Sequence, residues 1–235
     1  MRSSVVDRAR RTASILAILG GVVIFAACGG DGATAPVEEI IPTLTVVAGV
    51  DSQTAIVAAA LPQPIRIKVV NQNALPLVGI DVGWTVTSGA GSVDSVFSVT
   101  DSAGVAKTSW VLGTVAGPQT LTATVADGTS LVITAIAQAG TLASLAVVSN
   151  AFVSVSAGST TPALQVRAFD RYGNSVAGAA HTWSTDGGTF STVSTVSSSA
   201  GIAEATLRTD VSPRDYLVTV RFDGGFESSI VVRGN

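Results

Sequence analysis

Residues 162–185, PALQVRAFDRYGNSVAGAAHTWST, decide the fold, because the chain has already used the same pattern at 64–86, PIRIKVVNQNALPLVGIDVGWTV. The match sets Gly79 on Gly178 and Trp84 on Trp183, both 99 residues apart. Working outward, AGVA (103–106) returns as AGIA (200–203), with Trp110 falling on Leu207. GPQTLTATV (117–125) returns as SPRDYLVTV (212–220), and LTVVAG (44–49) as LAVVSN (145–150). An offset that holds near this value along the whole length marks two consecutive structural units. We read them as domains at 43–140 and 141–235.

Within each unit the hydrophobic period is two. Ile65, Ile67 and Val69 alternate with Arg66, Lys68 and Val70; Leu164, Val166 and Ala168 alternate with Gln165, Arg167 and Phe169. Leu121, Ala123 and Val125 alternate with three threonines. This is the pattern of half-buried strands, apolar side inward. Turn signals at Asp127-Gly128, Gly173-Asn174, Asp186-Gly187-Gly188 and Asp223-Gly224 punctuate the strands at the cadence of a β-sandwich. No stretch beyond residue 42 has a helical pattern, so the expected fold class is all-β, two tandem sandwiches.

Composition agrees. The 235 residues are 47% hydrophobic and 12% charged, with a mean hydropathy of +0.52. So few charges exclude a disordered tail or a coiled coil, which need abundant Lys, Glu and Arg. A polytopic membrane protein is excluded by distribution: only the uncharged stretch 12–30 approaches the ~18–20 residues that span a bilayer.

That stretch belongs to an amino terminus with Arg2, Arg8, Arg10 and Arg11, then an apolar core over 13–27, then Cys28. Basic, apolar and small-residue regions in that order read as a secretory signal peptide over 1–27. Cys28 is the single cysteine, so neither domain can hold a disulfide. It follows Phe25-Ala26-Ala27, and the segment resembles the lipobox of bacterial lipoproteins, with Phe25 where that family prefers Leu. The resemblance implies a lipid-attachment site at Cys28, a membrane partner through that anchor, and a place in the cell envelope, at the outer membrane or cell surface. Two or more acyl chains convert marginal membrane binding into stable anchoring. Residues 28–42, rich in Gly, Ala, Pro and acid, read as a flexible tether reaching ~20 Å, enough for the first domain to stand clear of the headgroups. Loss of the four arginines and Asp7 with the signal takes the formal charge from −3 to −6. Such a surface repels phosphate backbones, so nucleic acid is not an expected partner.

The D-x-x-G-N run Asp170–Asn174, followed by Gly178, Trp183 and A-G-I-A, resembles the bacterial immunoglobulin-like domain of the invasin and intimin type. The first repeat resembles it through Pro76, Gly79, Trp84 and AGVA, with Asn71, Ala74 and Leu75 where the second has Asp170, Gly173 and Asn174. The resemblance implies immunoglobulin-like sandwiches and a cell-adhesion role. Without a disulfide something else must hold the sheets together. Trp84 and Trp183, with Gly79 and Gly178, are the expected structural core residues, since a Trp on the equivalent strand packs between the sheets of immunoglobulin domains.

Nothing in the sequence points to catalysis. There is no G-x-S-x-G elbow, H-E-x-x-H pair or P-loop. His181, the one histidine, lacks companions at metal-ligand spacing and is expected to satisfy its nitrogens locally. Asp170, Asp186, Asp210 and Asp223 fall at turns and are expected to cap them, the spacing of a calcium loop being missing. We therefore expect no enzyme activity, no cofactor, no metal and no small-molecule substrate. The expected function is a lipid-anchored envelope stalk or scaffold with a role in adhesion. The alternative is a binding module that recognises a protein or polysaccharide through loops or a sheet face.

Overall fold

The structure, a computed structural model, describes residues 39–235. The signal peptide, Cys28 and the tether as far as residue 38 lie outside the described residues. Residues Ile40–Asn235 form one compact unit, and it contains two separate hydrophobic cores.

Every regular element among the described residues is a strand. The first repeat supplies β1 (Thr43–Val46), β2 (Thr54–Ile56), β3 (Ile65–Val70), β4 (Asp81–Ser88), β5 (Ser92–Val93), β6 (Phe97–Val99), β7 (Val105–Thr108), β8 (Trp110–Val111), β9 (Gly117–Val125) and β10 (Ser130–Gln138). The second supplies β11 (Leu142–Val147), β12 (Phe152–Val155), β13 (Leu164–Asp170), β14 (His181–Thr185), β15 (Thr189–Val193), β16 (Ile202–Arg208), β17 (Arg214–Phe222) and β18 (Glu227–Gly234). In the first, sheet β1-β3-β7 faces sheet β2-β10-β9-β4-β6 across the core, with a short β5-β8 ladder beside them. In the second, β11-β13-β16-β15 faces β12-β18-β17-β14. All pairings are antiparallel except β2 with β10 and β12 with β18, the same short strand crossing over in each repeat.

The two-residue period places the cores. Ile65, Ile67 and Val69 of β3 are fully buried while Arg66 is exposed, and Leu121, Ala123 and Val125 of β9 meet them from the opposite sheet. In the second repeat Leu164, Val166 and Ala168 of β13 meet Val218, Val220 and Phe222 of β17. The two tandem immunoglobulin-like sandwiches thus each close on a core of aliphatic and aromatic side chains with no disulfide.

The repeats part company at one edge. In the first, β6 joins β4, with Gly83 opposite Phe97. The Phe97 ring lies 3.4 Å from where a Cβ on Gly83 would sit and covers that bare backbone. In the second, only Thr195 of the corresponding segment makes a backbone bond to β14, accepting the His181 N–H at 2.9 Å, and the residue before it lies against β16. Ser194 is tied there by its N–H to the Glu204 carbonyl (2.8 Å), while its Oγ accepts the Glu204 N–H (2.8 Å).

Candidate functional site

The residues singled out in sequence lie as follows. Trp84 is 2% exposed and donates from Nε1 to Ser98 Oγ at 2.8 Å. Trp183 packs against the second core but is only partly buried, and its Nε1 is shielded without a partner. Gly79 and Gly178 have φ of +76° and +70° with no atom near a would-be Cβ. Their glycine is required by backbone conformation and not by space. His181 is buried against Phe222, ring centroids 4.8 Å apart, with Nδ1 3.1 Å from the Ala179 carbonyl and Nε2 2.9 Å from Ser194 Oγ. Both ring nitrogens therefore have local partners. No group of three His, Cys, Asp or Glu suited to a metal occurs among the described residues.

The turn aspartates do different things. Asp186 Oδ1 accepts the Leu217 N–H at 3.0 Å, and its other oxygen lies 3.5 Å from Arg214. At Asp210 and Asp223 the backbone bonds, with Asp210 N–H donating to Tyr216 Oη (2.8 Å) and Asp223 N–H to the Ala180 carbonyl (3.2 Å). Asp170 alone of the four closes its own turn, and it also does more.

Asp170 ends β13, where the chain must turn back. Its Oδ1 accepts the N–H groups of Tyr172 (2.8 Å) and Asn174 (2.9 Å), an Asx closure that Gly173 completes at φ +84°. Its Oδ2 accepts the Asn174 side-chain amide and, from outside the turn, the N–H of Gly140, both at 2.9 Å. Gly140 lies in the three-residue segment between β10 and β11. The carboxyl is 2% exposed; burial by itself would raise its pKa, and the bonds from Asn174, Gly140 and Tyr172 outweigh that and hold it below the ordinary 3.8. At neutral pH it is a buried anion with four donors on its two oxygens.

Asn174 carries the contact across. Its Nδ2 donates to the Thr114 carbonyl and its Oδ1 accepts the Ala116 N–H, both at 2.8 Å. Thr114 and Ala116 lie in the loop between β8 and β9 of the first sandwich, so the side chain pairs with that loop as a backbone would. Both amide atoms meet the complementary backbone group, which fixes which way the amide faces. A cleft of about 200 Å³ borders the joint, lined by Ile56 and Val57 on one side and Thr141, Arg171 and Tyr172 on the other.

The loop that receives Asn174 is itself held from below. Gln119 on β9 is 1% exposed; its Oε1 accepts the Gly113 N–H and its Nε2 donates to the Val115 carbonyl, both at 2.8 Å. Sequence reading passed over Gln119, whose polar side chain at an otherwise apolar position was the available signal. It also passed over Thr100 and Ser197, buried and 97 residues apart. Each hydroxyl accepts one N–H and donates to one carbonyl, Ile80 and Leu77 in the first repeat, Ala179 and Val176 in the second.

In the first repeat the same turn closes only on itself. Asn71 Oδ1 accepts the N–H groups of Asn73 (3.0 Å) and Leu75 (2.9 Å). Ala74 takes the left-handed position at φ +59°, and Leu75, where the second repeat has Asn174, is 60% exposed.

Comparison with known proteins adds a family match for the second repeat. Residues 144–234 match the bacterial Ig-like domain (group 1), on the repeat with the intact D-x-x-G-N turn, where the resemblance to the invasin and intimin type is strongest. Among solved structures, the chain is similar to FdeC, an Escherichia coli adhesin: 19% identity, 83% of this chain and 64% of that one, TM-score 0.60. It is also similar to InvD of Yersinia pseudotuberculosis: 21% identity, 83% of this chain and 57% of that one, TM-score 0.56. At these identities the likeness is one of fold, and the chain spans less than two thirds of either structure. No curated protein matches the sequence.

Proposed function

We propose that this chain is an exported, lipid-anchored stalk of the bacterial cell envelope, held at Cys28 and displayed at the outer membrane or cell surface in support of adhesion, without catalytic activity. The observation that carries the stalk is the joint. A stalk must transmit orientation from anchor to tip, and a three-residue connection alone leaves two domains free to swing. Here the Asp170 carboxylate holds the connection and the Asn174 amide holds the neighbouring sandwich. The Asp170–Gly140 bond is charge-assisted and so stronger than a neutral one, and the Asn174 amide adds two bonds to particular backbone groups. The likeness to an adhesin in FdeC is consistent with a surface role. Metabolic labelling with a fatty acid tests the anchor: wild type should incorporate label and Cys28→Ser should not. Equal labelling of both, or of neither, would remove the anchor from the proposal.

A second reading, a binding module, is favoured by one feature. β6 is an edge strand, paired on one side only, and Val96 just before it, with Phe97 and Val99 on it, is about 60% exposed. If this edge recognises a protein or polysaccharide, Phe97→Ser should abolish cell attachment while leaving acylation intact.

A further inference from the structure

We infer that the end of the first sandwich from which the amino-terminal segment emerges rests on the membrane, its aliphatic side chains entering a zwitterionic phospholipid interface. The inference rests on the reading of Cys28 as the anchor. In the second repeat the corresponding end is the docked face of the joint, where Gly140 and Asn174 make its bonds and Ala177, three residues on from that amide, is exposed. In the first repeat Ile41, just before β1, is joined by Leu75 and Val78, two large aliphatic side chains that stand ninety-nine residues before that amide and that alanine. The three are 59%, 60% and 59% exposed, and Ile40 beside them is 61% exposed. A groove of about 250 Å³, floored by Leu77, Ile80 and Val125, continues the apolar surface inward. Four exposed aliphatic residues gathered at one end differ from the scattered exposure normal for a soluble domain.

What covers this face follows from where the chain enters it. Ile40 and Ile41 immediately precede β1, and the Ile41 N–H is held by Gln72 Oε1 at 3.2 Å, so the entering chain is fastened within the cluster. Ten residues lie between Cys28 and Glu39, so eleven chain steps join them. At ~3.3–3.6 Å per residue they cannot place the face more than about 40 Å from the lipid-bearing cysteine. Confinement at that range gives the membrane a high effective concentration at this face. The lipid chemistry follows from charge: Asp127 stands at the groove and the chain from Cys28 carries a formal −6, so anionic headgroups are repelled and zwitterionic ones are not. The first domain then lies against the headgroups and does not stand clear of them.

Hydroxyl-radical footprinting tests this on the full chain held at Cys28 to phosphatidylethanolamine–phosphatidylcholine vesicles. Tethering is by the cell's own acylation or, for unacylated chain, by coupling the Cys28 thiol to a maleimide lipid. Oxidation of Ile40, Ile41, Leu75 and Val78 should fall several-fold relative to vesicle-free buffer, while Val211 in the second domain is unchanged. Leu75→Ser combined with Val78→Ser should return Ile40 and Ile41 to their vesicle-free rates. Undiminished oxidation of the four on vesicles overturns the inference, as does protection that persists in the double variant. Equal protection without vesicles would assign the face to a second copy of the chain and also overturn it. The mass of Cys28 from cells reports on the anchor separately, so loss of the anchor reading and loss of the membrane contact are told apart.

Discussion

The two sandwiches share a core plan and solve three local problems differently. Where the first buries Trp110 on β8 and Leu121 on β9, the second buries Leu207 on β16 and Tyr216 on β17; the large ring has moved to the neighbouring strand and a leucine has moved back. The loop before β9 is held by the buried Gln119 amide, and its counterpart before β17 by the Tyr216 hydroxyl, which accepts the Asp210 N–H at 2.8 Å. The turn after β3 closes on itself, whereas the turn after β13 closes and also clasps the first sandwich. Core volume can be met by either arrangement, as cores accept redistributed side chains when total volume is kept. The clasp cannot be redistributed, because its donors and acceptors are particular backbone groups. Divergence between the copies is therefore free inside and meaningful at the ends.

The largest test of this comparison is Trp110→Ala. The ring is fully buried, and its loss should cost about 3–5 kcal/mol in the first domain's denaturant transition and leave the second domain's unchanged. Trp84→Ala belongs in the same range, and Trp183→Ala, whose ring is partly exposed, should fall below it. Equal losses at 84 and 183 would mean that the two tryptophans do the same work despite their different burial.

Next come the loop fastenings. Gln119→Ala leaves the Gly113 N–H and the Val115 carbonyl unpaired beneath the loop and should cost about 2–3 kcal/mol. Tyr216→Phe removes one bond to an accessible N–H and should cost about 1 kcal/mol. If the order reversed, the hydroxyl and not the amide would be the stronger fastening.

The turns give a smaller pair of opposite sign. Ala74 sits at φ +59°, a conformation that costs an L residue ~1–2 kcal/mol, so Ala74→Gly should stabilise the first domain by up to about 1 kcal/mol. Gly173→Ala, at φ +84°, should destabilise the second by about the same amount. Equal signs would show that the two turns are not conformational counterparts.

The finest distinction is in pH. The Asp170 carboxyl titrates below 3.8 in the folded chain, so its contribution is complete above the ordinary carboxylate pKa and is lost as pH falls through the lower folded value. Stability and coupling of the domains should both decline in that acid window. Asp170→Asn should remove this step, leaving the first domain's turn, which has a neutral Asn71 in the same place, as the reference.

Much of the fold was legible because its signals are local. The alternation of Ile65, Ile67 and Val69 against Arg66 and Lys68 needs only the pleat of a strand to be read. The equivalence of Gly79 with Gly178 needs only the repeat. The joint was legible by half. Asp170 could be placed in a turn from its spacing to Gly173 and Asn174, but its reach to Gly140 spans 30 residues, and that of Asn174 to Thr114 spans 60. Pairings at that separation depend on how one folded domain meets another, which no local pattern encodes. The seat of the segment after β15 was illegible for the same reason, being decided by Ser194 bonding Glu204 in the second repeat and by Phe97 covering Gly83 in the first.

The central claim, that the Asp170–Asn174 turn makes one rigid unit of two sandwiches, is tested most directly by the distance distribution between spin labels on exposed positions of the two domains. Thr124→Cys and Ser229→Cys, in a Cys28→Ser background, serve this purpose. Pulsed electron resonance should give one narrow distribution, and Asn174→Ala in the same background should broaden it while each domain's melting transition persists. A broad distribution in the chain with Asn174 intact, or one that Asn174→Ala leaves unchanged, would contradict the joint.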